Sequence, residues 1–494
     1  MKLDALLIQP KTGIWDTMSL RVPESLLAIS ALPVKCGYRV VILDQRIEKK
    51  WKEKLKEYLK TGPLCVGITS MTGEQLKYAV GIIDFIKSIS DIPIVFGGPH
   101  ATLLPEQTLK YKNIDIVAVG EGDYTFYEIL ESFKNKKDLK NVKGIYYKKN
   151  GKVHHTGPRE AVKDLDSLPD YSYSLINIGK YETFDLKGGK SISIITSRGC
   201  PHRCKFCAIP IIYPAWRGYS IKKIIKKIKR LQRNYSISNF YFQDDNLGGN
   251  FPRFVDLITE LSNLEKEIRW GTLGIRADTL SLLTDEQLEL IYKSGCHDLD
   301  IGVETGSHRV NKFINKGETI ETIIKGNRRL AKFPIKLKYT FIIGFPTETK
   351  QEREESLDLA LRLQKENPNA YTLFFTFTPV MGTDFFNLAV KYGFKNPQSL
   401  EGWANLRFED WLEKYPSWLS KADIKEIEVI SLVSYLANKN VFYKFTRFPF
   451  KILFLLYYPI ARFRFKKKFF HFPLELKLRR SFFALRDNLS ELIK

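Results

Sequence analysis

The sequence predicts an α/β protein with three parts. These are a doubly wound parallel sheet at the amino end, a second α/β series behind it, and a mostly helical carboxyl-terminal region. Three observations carry this reading. Over residues 1–135, short apolar runs alternate with helix-length amphipathic segments. Over residues 191–395, a second set of apolar runs each stops at a polar loop. From residue 396 to 494 that pattern ends and the chain becomes basic and aromatic. Strands separated by helix-length connections pair in parallel, because a parallel crossover needs a long connection.

Composition excludes several classes. The 494 residues include 78 Lys and Arg against 55 Asp and Glu, a formal charge of +23, with 44% hydrophobic and 27% charged residues. That is folded globular protein, neither disordered nor collagen-like. Six cysteines in so long a chain are no disulfide framework and suit a reduced compartment. Residues 1–20 lack the basic start and apolar run of a signal peptide, and no uninterrupted apolar stretch reaches about 18 residues. A cytoplasmic protein is expected.

In the first 135 residues the strands are read at Leu3–Ile8, Arg39–Leu43, Leu64–Thr69, Ile94–Phe96 and Ile114–Val119. Helices are read over Glu24–Lys35 (stopped by Gly37), Lys50–Lys60 and Gln75–Ser88. Ligands of such sheets bind beyond the carboxyl ends of the strands. The loops there are Gln9-Pro10, Thr69-Ser70-Met71-Thr72-Gly73, Gly97-Gly98-Pro99-His100 and Gly120-Glu121-Gly122-Asp123, whose glycines allow close backbone approach. Residues 136–190 read as a connector: a hairpin turning at Asn150-Gly151, then a polar linker over Asp164–Asp170. His154 and His155, adjacent on one strand, face opposite sides and are read as exposed.

The strongest signal is Cys200-Pro201-His202-Arg203-Cys204-Lys205-Phe206-Cys207, directly after the apolar run Ile192–Thr196 and the turn Ser197-Arg198-Gly199. Three thiols on one short loop can wrap one face of a metal cluster, and thiolates favour iron–sulfur or zinc. Zinc usually takes four ligands in two pairs, and the remaining cysteines, Cys36, Cys65 and Cys296, are scattered. His202 leaves a zinc site open as the lesser alternative. Further apolar runs end at Asp244-Asp245-Asn246, Arg276-Ala277-Asp278, Glu304-Thr305-Gly306-Ser307, Gly344-Phe345-Pro346 and Thr378-Pro379-Val380-Met381.

The Cys-x3-Cys-x2-Cys spacing resembles the radical S-adenosylmethionine (SAM) superfamily over residues 191–385. The resemblance implies a partial (β/α)6 barrel of TIM type, with Cys200, Cys204 and Cys207 holding a [4Fe-4S] cluster whose open iron chelates SAM. It also implies an external low-potential electron donor of the flavodoxin or ferredoxin type, and an anaerobic cell. Phe206, just before the last cysteine, is expected to contact SAM beside the cluster. Asp244, Asp245 and Asn246 are expected at the SAM ammonium, Arg276 at its carboxylate, Glu304 at the ribose and Gly344 against adenine. No catalytic acid or base is assigned.

The first domain resembles the Rossmann-like cobalamin-binding domains found ahead of such barrels. The likeness lies in Pro23, Gly37, Asp44, Gly97-Gly98-Pro99-His100-Ala101-Thr102 and Gly120-Glu121-Gly122-Asp123. It implies a cobalamin site formed by Gln9, Pro10, Thr69, Ser70, Met71, Thr72, Gly97, Gly98, His100, Gly120, Glu121 and Gly122. No histidine precedes His100, so none is expected to replace the lower base of cobalamin. Residues 69–72 are expected beneath the cobalt. Together the two domains imply methyl transfer from methylcobalamin to an unactivated carbon, a second SAM restoring the methyl group. A non-methylating cyclase or oxidase acting on a membrane-derived substrate is the alternative, with an RNA-modifying radical SAM enzyme behind it.

Residues 441–494 carry 13 Lys and Arg, three acids and 15 aromatics. A helical cap, an anionic membrane surface and nucleic acid all suit that composition. No RNA-binding module follows residue 400, so nucleic acid is least favoured. A lipid or isoprenoid substrate is expected, with peripheral contact at the inner membrane face. Lys222–Arg233 reads as an amphipathic helix with a solvated lysine face.

Overall fold

The computed structural model describes residues 2–13, 16, 20–181, 183–184, 190–406, 418–439 and 450–477. Its first sheet contains β1 (Ala5–Gln9), β2 (Val40–Asp44), β3 (Cys65–Thr69), β4 (Ile94–Gly97), β5 (Ile116–Ala118), β6 (Ile145–Lys149) and β7 (Lys152–His155). The order is β2-β1-β3-β4-β5-β6-β7, parallel through β5 and antiparallel beyond it. Starting from β1, the chain builds outward in both directions, so the topological switch lies between β1 and β3. The helices Glu24–Lys35, Trp51–Lys60, Glu74–Lys87 and Gly122–Lys134 connect these strands, within a residue or two of the expected segments where the sequence indicated them.

The hairpin read as a connector is the antiparallel edge of this sheet: Ile116 pairs with Tyr147, and Ala118 with Ile145. His154 and His155 are exposed and stack on Tyr147 and Tyr146. The polar linker is also more than a tether, because Leu165, Leu168, Tyr171, Tyr173 and Tyr181 are buried. Lys223 donates to the carbonyls of Asp166 and Leu168, and Lys227 lies 4.1 Å from the Tyr171 ring centroid. The lysine face of the helix Ile221–Tyr235 is therefore partly packed. Sequence periodicity separates apolar from polar positions but does not show what a lysine will meet.

The second sheet has the order β16-β15-β14-β13-β12-β9-β8. Its parallel strands are β9 (Lys190–Ile194), β12 (Asn239–Phe242), β13 (Arg269–Ile275), β14 (Cys296–Glu304), β15 (Lys336–Ile343) and β16 (Ala370–Thr376), with β8 (Thr183–Phe184) antiparallel at the edge. Six strands in sequential order, joined by helices, make an open (β/α)6 barrel. Alternation sorts the two faces. Phe240, Phe242, Leu299, Ile301, Leu337, Tyr339 and Phe341 are buried toward the helices. Tyr241, Asp300, Gly302, Glu304 and Lys338 take the opposite face, where Lys338 pairs with Asp300.

The helices Leu400–Ala404, Lys421–Leu436 and Phe450–Lys466 form the carboxyl-terminal region. The second covers β16: Ser434 Oγ accepts from the Phe374 amide at 3.1 Å, and Ser431 Oγ donates to the Phe374 carbonyl at 2.5 Å. An edge strand otherwise presents unpaired backbone, and two serines one helical turn apart satisfy it here. Among the described residues, no helix is long and apolar enough to cross a membrane.

Candidate active site at the domain junction

The cysteine loop is closed by a two-strand clasp, β10 (Ser197–Arg198) with β11 (Arg217–Gly218). Gly199 follows at φ 83°, and a Cβ there would stand 2.6 Å from the Ala215 carbonyl, so the loop turns where only glycine fits. The barrel pins the loop at other points. The Lys205 amide donates to Ile314 O at 2.9 Å, Phe385 N to Lys205 O at 3.2 Å, and Asn315 Nδ2 to Arg203 O at 2.9 Å. Cys200, Cys204 and Cys207 are all partly buried, and burial pushes the thiols of Cys204 and Cys207 up, the latter to about 12. Among the described residues no three His, Cys, Asp or Glu side chains gather around one ion position. A four-iron cube binds each thiolate at a separate corner and does not need them to converge. The donor set therefore fits a cluster better than a lone zinc.

The residues expected at the SAM ammonium divide into two roles. Asp244 Oδ1 accepts from the Thr196 amide (3.1 Å), Thr196 Oγ1 (2.9 Å) and Ser197 Oγ (2.5 Å). It holds the start of the cysteine loop against β12. Asp245 Oδ2 takes the Gly199 amide at 2.9 Å, and Asn246 Nδ2 points at Cys200 Sγ, 3.6 Å away. Asp244 Oδ2 and Asn246 Oδ1 are buried without a hydrogen-bond partner among the described residues. Burial raises the carboxyl pKa of Asp244, and that of Asp245 to about 6. Acceptors so placed suit an ammonium donor.

Arg276 and Glu304 meet through residues that the sequence reading missed. Glu304 sits at φ 68°, a left-handed backbone unusual for a glutamate, at a bulge between β14 and β15. Its Oε1 lies 3.0 Å from Lys316 Nζ, which is 3.5 Å from Glu318 Oε1; Glu318 Oε2 is 3.9 Å from Arg276 Nη2. Arg276 also binds Asp278 at 2.8 Å. Burial opposes the Lys316 charge, but Glu304 and Glu318 outweigh it and hold its pKa above the usual lysine value. Positive charge from Lys316 and Arg276 also acts on Cys204. Asn315-Lys316-Gly317-Glu318 sits in a loop after a short helix, with no pattern to mark it; only the fold brings it to Glu304.

Phe206 packs on Phe345 with centroids 5.9 Å apart, inside a cluster with Phe377 and Phe385. Gly344 has both backbone groups engaged: its amide donates to Glu348 Oε2 at 2.6 Å, and its carbonyl accepts from Trp418 Nε1 at 3.1 Å. It is buried as well, with Ile427 and Leu419 side chains 3.3 and 3.6 Å from where a Cβ would stand, so it presents adenine no open backbone group. Phe345, Phe374 and Phe377 are core.

In the first domain the strand-end loops are sewn together. Ser70 N donates to Gly97 O, His100 N to Ser70 O, and Gly120 N to Thr102 Oγ1. Gln75 Nε2 reaches Pro10 O, and Gln9 is buried beside it. Gly98, at φ 94°, lies so close to residues 69–70 that a Cβ would meet Thr69 Oγ1 at 2.6 Å. Gly120, at φ 75°, faces open space, as does Met71, which is 53% exposed. This floor of backbone and small groups fits a large planar cofactor.

Two residues expected at cobalamin have side chains engaged within the protein. His100 is 0% exposed, with Nδ1 3.0 Å from Thr72 Oγ1 and its ring edge-on to Trp403; burial lowers its pKa to about 4. It props Thr72 from below as a neutral ring. Glu121 pairs with Arg217 and accepts from the Val162 amide. The sequence showed both residues in glycine loops, but loop position does not say which way a side chain turns.

These two sites adjoin. Arg198 of the clasp binds Asp123 at 2.7 and 3.0 Å. A Cβ on Gly382, in the loop after β16, would lie 3.2 Å from Ile211 of the cysteine loop and 3.9 Å from Leu103 of the first domain. The cysteine loop, the barrel mouth and the glycine-loop floor thus share one junction.

That arrangement defines a two-domain enzyme whose barrel carries a thiolate cluster loop. The Radical SAM superfamily model matches residues 194–360, and the B12 binding domain model matches residues 23–130. An uncharacterized methyltransferase of Pyrococcus horikoshii is 31% identical over 394 residues, 79% of this chain and 83% of that one. The cytidylyl-2-hydroxyethylphosphonate methyltransferase of Streptomyces wedmorensis is 25% identical over 454 residues, 80% of this chain and 83% of that one. Among solved structures, the cobalamin-dependent S-adenosylmethionine radical enzyme OxsB has the same fold, at a TM-score of 0.75 and 20% identity, covering 94% of this chain and 72% of that one. The chain belongs to the radical SAM enzymes that carry a B12-binding domain ahead of the barrel.

Proposed function

We propose that the protein is a cobalamin-dependent radical SAM methyltransferase that methylates an unactivated carbon of a lipid or isoprenoid. The observation that carries this reading is the junction itself, where the cysteine loop and the Gly98/Gly120 floor meet across Ile211, Gly382 and Leu103. When bound, the cluster and SAM supply a 5′-deoxyadenosyl radical, and cobalamin supplies the methyl group.

The chain's own residues position and shield. Cys200, Cys204 and Cys207 hold the cluster, and Asp245 and Asn246 fix the loop that carries them. Arg276 and Lys316 supply positive charge for the SAM carboxylate. Glu304, bent back by its left-handed backbone, accepts from the ribose. The clasp and the Phe206–Phe345 cluster keep water from the mouth, which a carbon radical requires. The lipid substrate is supported by the apolar, cationic carboxyl-terminal region.

The test uses protein purified without oxygen and reconstituted with iron, sulfide and hydroxocobalamin. About four irons and one cobalt per chain are expected. With a low-potential reductant, methyl-deuterated SAM and a lipid extract from the source cells, 5′-deoxyadenosine should form together with a deuterium-labelled product. Deoxyadenosine with an oxidised or cyclised product and no label transfer would overturn methylation while leaving the radical chemistry in place.

A further inference from the structure

The helix Phe450–Lys466 has two apolar faces. One is internal: Phe454, Ala461 and Phe465 are buried, Phe465 lying 5.9 Å from the Phe374 ring on β16. The other points outward through Ile452, Leu455, Leu456, Pro459, Ile460 and Phe463, at the i, i+3, i+4 spacing of one helical stripe. Leu456 is 71% exposed and Phe463 60%. Just beyond, Phe469 and Phe472 are exposed on a turn held from inside by Arg464, which binds the Phe469 and Phe472 carbonyls and pairs with the buried Glu475. A single-helix stripe continued by two aromatics on a braced turn is a built surface, not a scatter of exposed side chains.

The exposed charge of the segment itself has one sign, and an acid from elsewhere, Asp358, pairs with Lys468. Within residues 450–477 the sole acid is Glu475, buried and neutralised by Arg464, whereas Arg462, Lys466, Lys467 and Lys477 are exposed. From this stripe and its ring of cations we infer that the helix Phe450–Lys466 docks in the plane of an anionic lipid bilayer, its outward apolar face in the headgroup boundary. The lysines are long enough to reach headgroup phosphates from the edge of the stripe. Nucleic acid suits the surface less well, since Ile452, Leu455, Leu456 and Ile460 offer no ring for a base to stack on. A second copy would bring the same cations and no exposed acid from this segment.

The test is flotation of the full-length protein with phosphatidylcholine vesicles, with and without phosphatidylglycerol. Wild type should float with the anionic vesicles, less so at high salt, and remain behind with the neutral ones. The variant Leu455→Glu/Leu456→Glu/Phe463→Glu should lose flotation while its thermal unfolding stays unchanged. The milder Lys466→Glu/Lys467→Glu variant, which leaves the apolar face intact, should weaken flotation on anionic vesicles about tenfold or more. Absence of wild-type flotation, equal recovery of wild type and both variants, or a stripe-dependent dimer in sedimentation would each overturn the inference. Because the readout needs neither cluster nor cobalamin, it is independent of the proposed methylation.

Discussion

Arg198 donates two parallel hydrogen bonds, 2.7 and 3.0 Å long, to the Asp123 carboxylate, and both side chains are buried. Arg198 belongs to the clasp of the cysteine loop and Asp123 to the last glycine loop of the first domain. This forked pair, with Glu121 at 3.4 Å and the Glu121–Arg217 pair beside it, ties the clasp of the cysteine loop to the last glycine loop of the first domain.

Removing one partner of a buried pair leaves the other charge uncompensated. Arg198→Met should therefore destabilise the protein by about 3–5 kcal/mol, whereas Arg198→Met/Asp123→Leu should recover a large part of that loss. Thermal unfolding of wild type, both single variants and the double variant measures the coupling. Additive losses would show that the pair does not act as a unit.

Lys316 is buried between Glu304 and Glu318. Lys316→Gln should weaken SAM binding about tenfold or more, roughly 1.4 kcal/mol, while leaving the iron content at the wild-type level. Lys316→Arg should restore part of the affinity. Equilibrium binding of SAM to the reconstituted protein tests this, with iron analysis as the control.

Gly98 has both a left-handed backbone and a neighbour where its Cβ would go. Gly98→Ala should push residues 69–70 away and flatten the floor of the first domain, at a cost of about 1–3 kcal/mol. The expected signature is selective: cobalt per chain falls and iron per chain does not. Equal loss of both would point to general unfolding.

Glu348 is buried behind Gly344, and that burial raises its carboxyl pKa to about 7. Because its folded pKa lies above the unfolded value of 4.5, the folded state holds the proton more tightly. The stability this contributes is full below the unfolded pKa and is lost as pH rises through about 7. Glu348→Gln keeps an acceptor for the Gly344 amide and removes the buried charge. It should be more stable to unfolding than wild type at pH about 8, by on the order of 1–3 kcal/mol, and the gap should close near pH 5. A gap that does not change with pH would refute the assignment.

Local chemistry is what the sequence carried well. Three thiols within eight residues need no tertiary information to suggest a cluster. Apolar runs that end in glycine or carboxylate identify strand ends, because side-chain alternation and turn chemistry are set by neighbours in the chain. The parallel strands of both sheets, the helices Glu24–Lys35 and Ile221–Tyr235, and the position of each candidate loop were legible for that reason. The described part of the basic, aromatic tail could be read only as three alternatives, since composition does not show which face of a helix is covered.

Direction and partnership were decided by the tertiary structure. Glu121 and His100 stood in cofactor-type loops, yet one turns to Arg217 and the other beneath Thr72. Lys316 stood in no motif, yet the barrel carries it to Glu304. The hairpin at Asn150-Gly151 was plain, but its pairing with β5 was not. In each case the deciding contact joins residues far apart in sequence. Such a contact depends on which surfaces the fold brings together and desolvates, and no local pattern records that.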